Sequence, residues 1–419
     1  MPRSVISTEN PQFCPFWCKC RLWALRNAKI LVFRKPRRMR IYPYYSRSEP
    51  FFVFDEYPYV AGARSFLNGN QDLNPEHPPL AKILIAGDMQ VAGDNPFGWR
   101  LAGAVCGALT LVAIFFWTYL LLGDYGLALT AAGLTLLNNF LFAMSRVAML
   151  DVFYFAFVIW GVLAFTASII LDLSLAKRRI LFLTTGLMFG LGTACKWNAV
   201  VSLAGVGLIA AIMYLRDTRR VRQVGAPTLI LSLVVLPVIA YGLAFWPLCW
   251  RFHRPFTLAE LRSLNVYIWR YHVTCPGNPA LDSRWYQWLF RSSPERGLSY
   301  LMGNFVVVWG GFLALLICAW RFCKSLALPE GLVILLYAVN LLQWVVIPQQ
   351  WTVYYYYYPP AMFLGVSIAI ALSRTQKQRI FGVRIGLVIL LAAGVFFMYC
   401  YPRMAHLEAP YDCMFGCWP

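Results

Sequence analysis

Apolar runs recur along the chain between short polar loops. Many reach about 18 residues or more, enough to cross roughly 30 Å of hydrocarbon as a helix. No run alternates apolar and polar positions with period two. Only helices or closed barrels satisfy their backbone groups in lipid, so the pattern predicts a helical, polytopic protein. About ten spans are expected, at 101–122, 125–144, 147–171, 180–195, 197–215, 227–247, 301–320, 329–347, 355–373 and 380–401. The run 180–214 is too long for one helix and is broken by Cys195-Lys196-Trp197-Asn198, which predicts a tight hairpin with Lys196 at its tip. The chain thus divides into a basic segment 1–50, a polar loop 51–99, helices over 100–247, a loop 248–300, helices over 301–401 and a tail 402–419.

Composition agrees. The 419 residues are 60% hydrophobic and only 13% charged, about half the charged share of a soluble domain. The net charge of +19 would suggest nucleic acid in a soluble protein. Here the basic residues cluster in alternate short loops, which reads as membrane topology and contact with anionic lipid. Those loops hold Lys177, Arg178 and Arg179, then Arg216, Arg219, Arg220 and Arg222, then Arg321 and Lys324, then Arg374, Lys377 and Arg379. The short loops of the other side hold Arg146 and Lys196. The positive-inside rule makes the first set cytoplasmic and puts 51–99, 248–300 and the C-terminus on the opposite face. Cysteines such as Cys106, Cys195, Cys249 and Cys318 fall in or beside apolar runs and read as small packing residues. The terminal cysteines, Cys14, Cys18 and Cys20 and then Cys413 and Cys417, leave zinc or disulfide roles open.

The most polar stretch, FDEYPYVAGARSFLNGNQDLNPEHPPLAK at 54–82, lies just before the first clear span. Asp55 and Glu56 are adjacent acids flanked by aromatics. Solvated loop acids are one reading. The other is an acid whose proton affinity is raised by desolvation and a like charge, suited to general-base work on a hydroxyl. In NPEHPPLAK, the prolines allow a helix to start only at Pro78 or Pro79. That helix is amphipathic and too polar to span, so an interfacial position is expected, with Glu76 and His77 at its N-terminal end. A structural proline-rich turn is the alternative.

Arg100, Arg146 and Lys196 stand at the non-cytoplasmic ends of spans, and Asp151 follows Arg146 into its span. Each alone could be an interface anchor, and an Arg146–Asp151 pair could be structural. Together they form a cationic set suited to a phosphate. Tyr354 to Tyr358 open a span on the same face, as an aromatic belt or as a wall for sugar or lipid. In the loop DSRWYQW, Trp285 and Trp288 lie three apart and suit packing. No P-loop, GxGxxG after a strand, HExxH or GxSxG occurs. No compact three-ligand metal set is visible. Asp55, Glu56 and His77 could share an ion, and a metal requirement is not established.

The motifs FDEYPYV, NPEHPPLAK, NPFGWRLAGA, SRVAMLDVF, GLGTACKWNA and DSRWYQW occur in that order. With them the chain resembles the protein O-mannosyltransferases, integral membrane glycosyltransferases of the type-C fold, over roughly residues 50–400. The resemblance implies that Asp55 is the catalytic base and Glu56 its partner. It places His77 and Lys82 near the site and matches Arg100, Arg146, Asp151 and Lys196 to family positions. It implies inverting transfer of a sugar, mannose in this family, from a polyprenyl phosphate to a Ser/Thr hydroxyl of exported protein, with no nucleotide cofactor. Family members have about eleven spans, one of them before the acidic loop. Residues 1–50 are accordingly read as a segment whose first helix is missing or defective. The loop 248–300 is too short for the β-trefoil insertion of eukaryotic members, which points to the prokaryotic branch and a bacterial plasma membrane. Where relatives often carry a basic residue and a His in the last loop, this chain has Gln349 and Gln350.

Two other readings compete. One is a type-C transferase acting on a lipid or glycan. The other is a lipid-linked sugar flippase or transporter, but transporters place charged sites near the bilayer midplane. Here the charges gather at one face.

Overall fold

The computed structural model describes residue 52 and residues 55–404, apart from 275–281, 291–292, 296–297, 348–351, 375–378 and 381–382. The segment 1–50, the tail beyond 404, Gln349 and Gln350 lie outside the described residues.

The acidic loop folds into two helices, α1 (Glu56–Asn68) and α2 (Leu80–Ala92). Helices α3 (Pro96–Leu122), α4 (Tyr125–Leu136), α5 (Leu150–Ile170), α6 (Leu175–Cys195), α7 (Ala199–Leu215) and α8 (Ala226–Arg251) follow. The second half holds α9 (Leu258–Thr274), α10 (Phe305–Ser325), α11 (Leu328–Val346), α12 (Leu364–Leu372) and α13 (Ile385–Met404). Two small antiparallel strand pairs, Ser293–Glu295 with Leu298–Leu301 and Arg379–Ile380 with Val383–Arg384, depart from an all-helical chain. Among the described residues six helices are long and apolar enough to cross a membrane: α3, α5, α8, α10, α11 and α13. The apolar helices α4 and α7 are shorter, and α6 begins with Lys177, Arg178 and Arg179 in its first turns.

Local chemistry explains the boundaries. Asn95 caps α3 by accepting from the Phe97 and Gly98 amides at 3.0 and 3.1 Å, with Pro96 at the first helical position. Gly123 closes α3 in the left-handed region at φ 66°. Two expected spans are interrupted. The run 125–144 breaks after α4, where Asn138 caps a short helix (Asn139–Met144) and donates to the Ala361 carbonyl at 3.2 Å. The run 355–373 opens as a 3₁₀ turn (Tyr354–Tyr357), continues as Tyr358–Met362 around Pro359 and Pro360, and only then becomes α12.

Helix α5 is the central element. Of its 21 residues, 17 are buried, and it packs against α3 and α6. Helices α6 and α8 approach so closely that a Cβ at Gly186 would collide with the Ser232 carbonyl oxygen. At the end of the bundle opposite the acidic loop, basic side chains cap helix C-termini. Arg178 donates to the carbonyls of Ser168, Leu171 and Leu173, and Arg220 to those of Ile169 and Ile170. Arg321 donates to the Ile370 and Ala371 carbonyls at 3.0 and 2.8 Å. Each supplies donors to last-turn carbonyls that lack helical partners.

Candidate active site

Asp55 stands at the N-cap of α1, but its side chain makes no capping bond. It turns away instead, and Oδ2 accepts from the Tyr355 hydroxyl at 2.7 Å. Asp55 keeps some solvent contact as a residue, but burial of its carboxylate lifts the pKa to about 6. The Tyr355 hydrogen bond and Lys196 pull it down, and Asp151 adds to the rise. An acid poised near neutrality at the head of several helices has the properties of a general base.

Lys196 ends α6 and turns inward rather than out to water. It is 6% exposed and donates to both Asp151 oxygens at 2.8 Å. Its ammonium also lies 4.7 Å from the Tyr356 ring centre and 5.4 Å from that of Tyr355. The predicted hairpin tip is present between α6 and α7, but the partner of Asp151 is Lys196 and not Arg146. Arg146 is exposed and lies over the Phe142 ring at 4.7 Å. Among the described residues it makes no ion pair.

Glu56 points to the other side of α1 from Asp55. It is fully buried and accepts from Arg100 Nε and Nη2, each at 2.7 Å, and from the Ala148 amide at 2.9 Å. Ala148 lies two residues beyond Arg146, so Glu56 ties α1 to α3 and to the entry of α5. Adjacent in sequence, the two acids have separate partners. Asp55 faces the Lys196–Asp151 pair and Glu56 is a brace.

His77 lies at the edge of this group, with its ring 5.5 Å from Tyr59 and 5.1 Å from His272 of α9. Burial pushes its pKa well below the usual histidine value, and His272, Lys196 and Lys82 add to the effect. His272 contacts the Glu76 carbonyl through Nε2 at 3.1 Å and is pushed down to about 4, first by burial. Both imidazoles are therefore neutral at pH 7. Lys82 is buried and spans back to the Asn74 carbonyl and to Asp72 Oδ1 at 3.4 Å. It braces the 72–76 turn. Burial lifts Glu76 to about 7; its Oε1 accepts from Asn74 at 2.7 Å, while Oε2 is buried without a partner among the described residues.

Two contributors escaped the sequence reading. His272 lies in a loop helix without a motif of its own. Tyr355 sat within a tyrosine run that read as belt or wall, but all five tyrosines are buried. DSRWYQW acts at the same place. The Ser283 amide donates to the Thr352 carbonyl at 2.7 Å, and Thr352 donates to Asp282 Oδ1 at 3.0 Å. Trp288 is fully buried against Trp344, Tyr356 and Tyr357. Among the described residues no three His, Cys, Asp or Glu side chains cluster as metal ligands, so Asp55, Glu56 and His77 do not converge on an ion site.

The fold and parts of the sequence have counterparts among known proteins. The fold superposes on the Pmt1–Pmt2 protein O-mannosyltransferase complex of S. cerevisiae bound to the sugar donor, with a TM-score of 0.71, 13% identity and coverage of 84% of this chain and 86% of that one. It also superposes on ArnT from Cupriavidus metallidurans bound to undecaprenyl phosphate, with a TM-score of 0.60, 18% identity and coverage of 86% and 62%. In sequence, the polyprenol-phosphate-mannose–protein mannosyltransferase of Corynebacterium glutamicum is 32% identical over 45% of this chain and 44% of its own length. That of Mycobacterium tuberculosis is 31% identical over 42% and 38%. The match thus spans less than half the length of these curated relatives. The sequence profile of dolichyl-phosphate-mannose-protein mannosyltransferases matches residues 17–253, more than half of the chain, a range that holds Asp55, Glu56, His77, Lys82, Arg100, Arg146, Asp151 and Lys196 but not His272 or the tyrosine run. The chain belongs to the dolichyl-phosphate-mannose-protein mannosyltransferase family.

Proposed function

We propose that this chain moves mannose from a polyprenyl phosphate to a Ser or Thr hydroxyl of exported protein, by inverting displacement. The observation that carries the reading is the Asp55 carboxylate, lifted to about 6 by burial and set beside the Lys196–Asp151 pair at one end of the bundle. The acceptor oxygen attacks the anomeric carbon as Asp55 takes its proton. The bond from that carbon to the phosphate oxygen breaks, and polyprenyl phosphate leaves with the electron pair. Arg146, exposed and without a carboxylate partner among the described residues, and Lys196 supply positive charge for the departing phosphate. Neutral His77 and His272 border the acceptor side. The donor lipid enters from the bilayer and the acceptor from water, so the site belongs at the non-cytoplasmic face of a bacterial plasma membrane. In this reading α2 lies in the interface and the shorter helices complete about ten spans.

The test is to supply purified protein with polyprenyl-phosphate mannose and a Ser/Thr peptide, with Asp55→Asn alongside. Transfer by the wild type and its loss in Asp55→Asn is expected; transfer that survives the substitution removes Asp55 as the base. A second reading, a lipid or glycan acceptor, draws on the likeness to ArnT. It predicts transfer to such acceptors and none to peptide. Movement of lipid-linked sugar without transfer favours a flippase.

A further inference from the structure

Asp55 is held from the far end of the chain. Tyr355 is 2% exposed, and its hydroxyl donates to Asp55 Oδ2 at 2.7 Å across 300 residues of sequence. The position of that phenol is fixed from several sides. Three residues upstream, Thr352 is clasped by Asp282 and Ser283, and Ser283 Oγ accepts from the buried Trp288 indole at 3.0 Å. Next in sequence, Tyr356 stacks flat on Trp344, centroids 4.4 Å apart and planes 4° from parallel. Downstream, the Tyr357 and Tyr337 hydroxyls bond at 3.0 Å. A phenol so restrained presents its O–H in one direction at little further entropic cost.

The partner oxygen matters. Oδ2 is occupied by Tyr355, whereas Oδ1 has no hydrogen-bond partner among the described residues. A carboxylate pinned through one oxygen has the other aimed and available. A hydrogen bond to the charged form also favours ionisation, the state a base requires.

We propose that Tyr355 is a positioning residue for Asp55: its hydroxyl holds Oδ2 and leaves Oδ1 to receive the acceptor's proton. The proposal rests on Asp55 being the base of the transfer reaction. It assigns DSRWYQW and the tyrosine run a joint task, because the Thr352 clasp and the Tyr356 stack set where Tyr355 stands.

Tyr355→Phe removes the hydroxyl and keeps the ring beneath Lys196. With polyprenyl-phosphate mannose and a Ser/Thr peptide, kcat falls about 10- to 100-fold and the donor KM stays within about a factor of two. The acid limb of the pH profile moves up by about one unit, because the ionised carboxylate loses a donor. The other groups facing Asp55 are unchanged in this variant: Tyr59 from α1, Asp151 from α5 and Lys196 from the end of α6. Replacing Tyr355 with a fluorotyrosine, a stronger donor, moves the limb the opposite way, and this decides the matter if the Phe variant fails to fold. A rate loss with a fixed limb, or a wild-type rate and limb in both proteins, overturns the proposal while leaving the base assignment intact. Absence of transfer by the wild type, or full activity in Asp55→Asn, overturns the underlying reading instead.

Discussion

Lys196 and Asp151 form a closed pair: the ammonium bonds both carboxylate oxygens at 2.8 Å and joins the end of α6 to the first turn of α5. Their side chains are 7% and 2% exposed. Breaking a buried pair by removing one partner costs about 3–5 kcal/mol, because the other charge is left uncompensated. Asp151→Asn should therefore lower the thermal midpoint in detergent strongly. The double variant Asp151→Asn with Lys196→Met should recover much of that loss and remain inactive. A single variant as stable as the wild type would show that the pair is not closed.

Glu56 and Asp55 separate in their effects. Glu56→Ala removes the partner of Arg100 and of the Ala148 amide, so a stability loss of roughly 2–4 kcal/mol is expected, with transfer reduced through misplacement of α1. Asp55→Asn should leave the unfolding midpoint near the wild-type value and lower kcat by about 10²–10⁴. Parallel unfolding and initial-rate measurements check the contrast, and equal unfolding losses in the two variants would refute it.

The rate should depend on pH through Asp55. Its pKa is raised to about 6, and a protonated carboxyl accepts no proton. Activity is therefore low below that value and rises to a plateau as pH passes through it. Glu76, near 7, takes no proton in the proposed reaction, so Glu76→Gln should keep the limb at its wild-type position. A limb that vanishes in Glu76→Gln would assign the titration to Glu76.

Gly186 permits the contact between α6 and α8. Any Cβ there meets the Ser232 carbonyl, and a Cβ at neighbouring Gly190 would come within 2.7 Å of Ala240 and 2.8 Å of Pro237. Gly186→Val should cost about 1–3 kcal/mol by forcing the helices apart. The expected sign is a lower thermal midpoint with the pH limb unmoved, measured on the same preparation.

Much of the scaffold was legible because it rests on local pattern. The apolar runs located the main spans, but α3 begins at Pro96, before the expected start at 101, on the Asn95 cap. The interrupted runs carried their own signals, Asn138-Asn139 after α4 and Pro359-Pro360 before α12, but total hydrophobicity outweighed them. Asp55 and Lys196 stood out as charges in an oily chain. Their pairings did not, because pairing is set by packing. Asp151 joins Lys196 across 45 positions, Glu56 joins Arg100 across 44, and Tyr355 reaches Asp55 across 300. No periodicity reports such distances. A single tyrosine among five identical neighbours carries no mark of the one that bonds an acid.

The basic loops from which the orientation is read serve two ends at once. Arg178, Arg220 and Arg321 are committed to helix carbonyls, whereas Lys177, Arg179, Arg216, Arg219 and Lys324 are exposed. An attempt to invert the protein in the bilayer by deleting positive charge would therefore read differently at the two groups. Neutralising the exposed residues alters insertion alone. Neutralising the other three also frays the ends of α5 and α12, so misfolded chains would be scored as inverted ones.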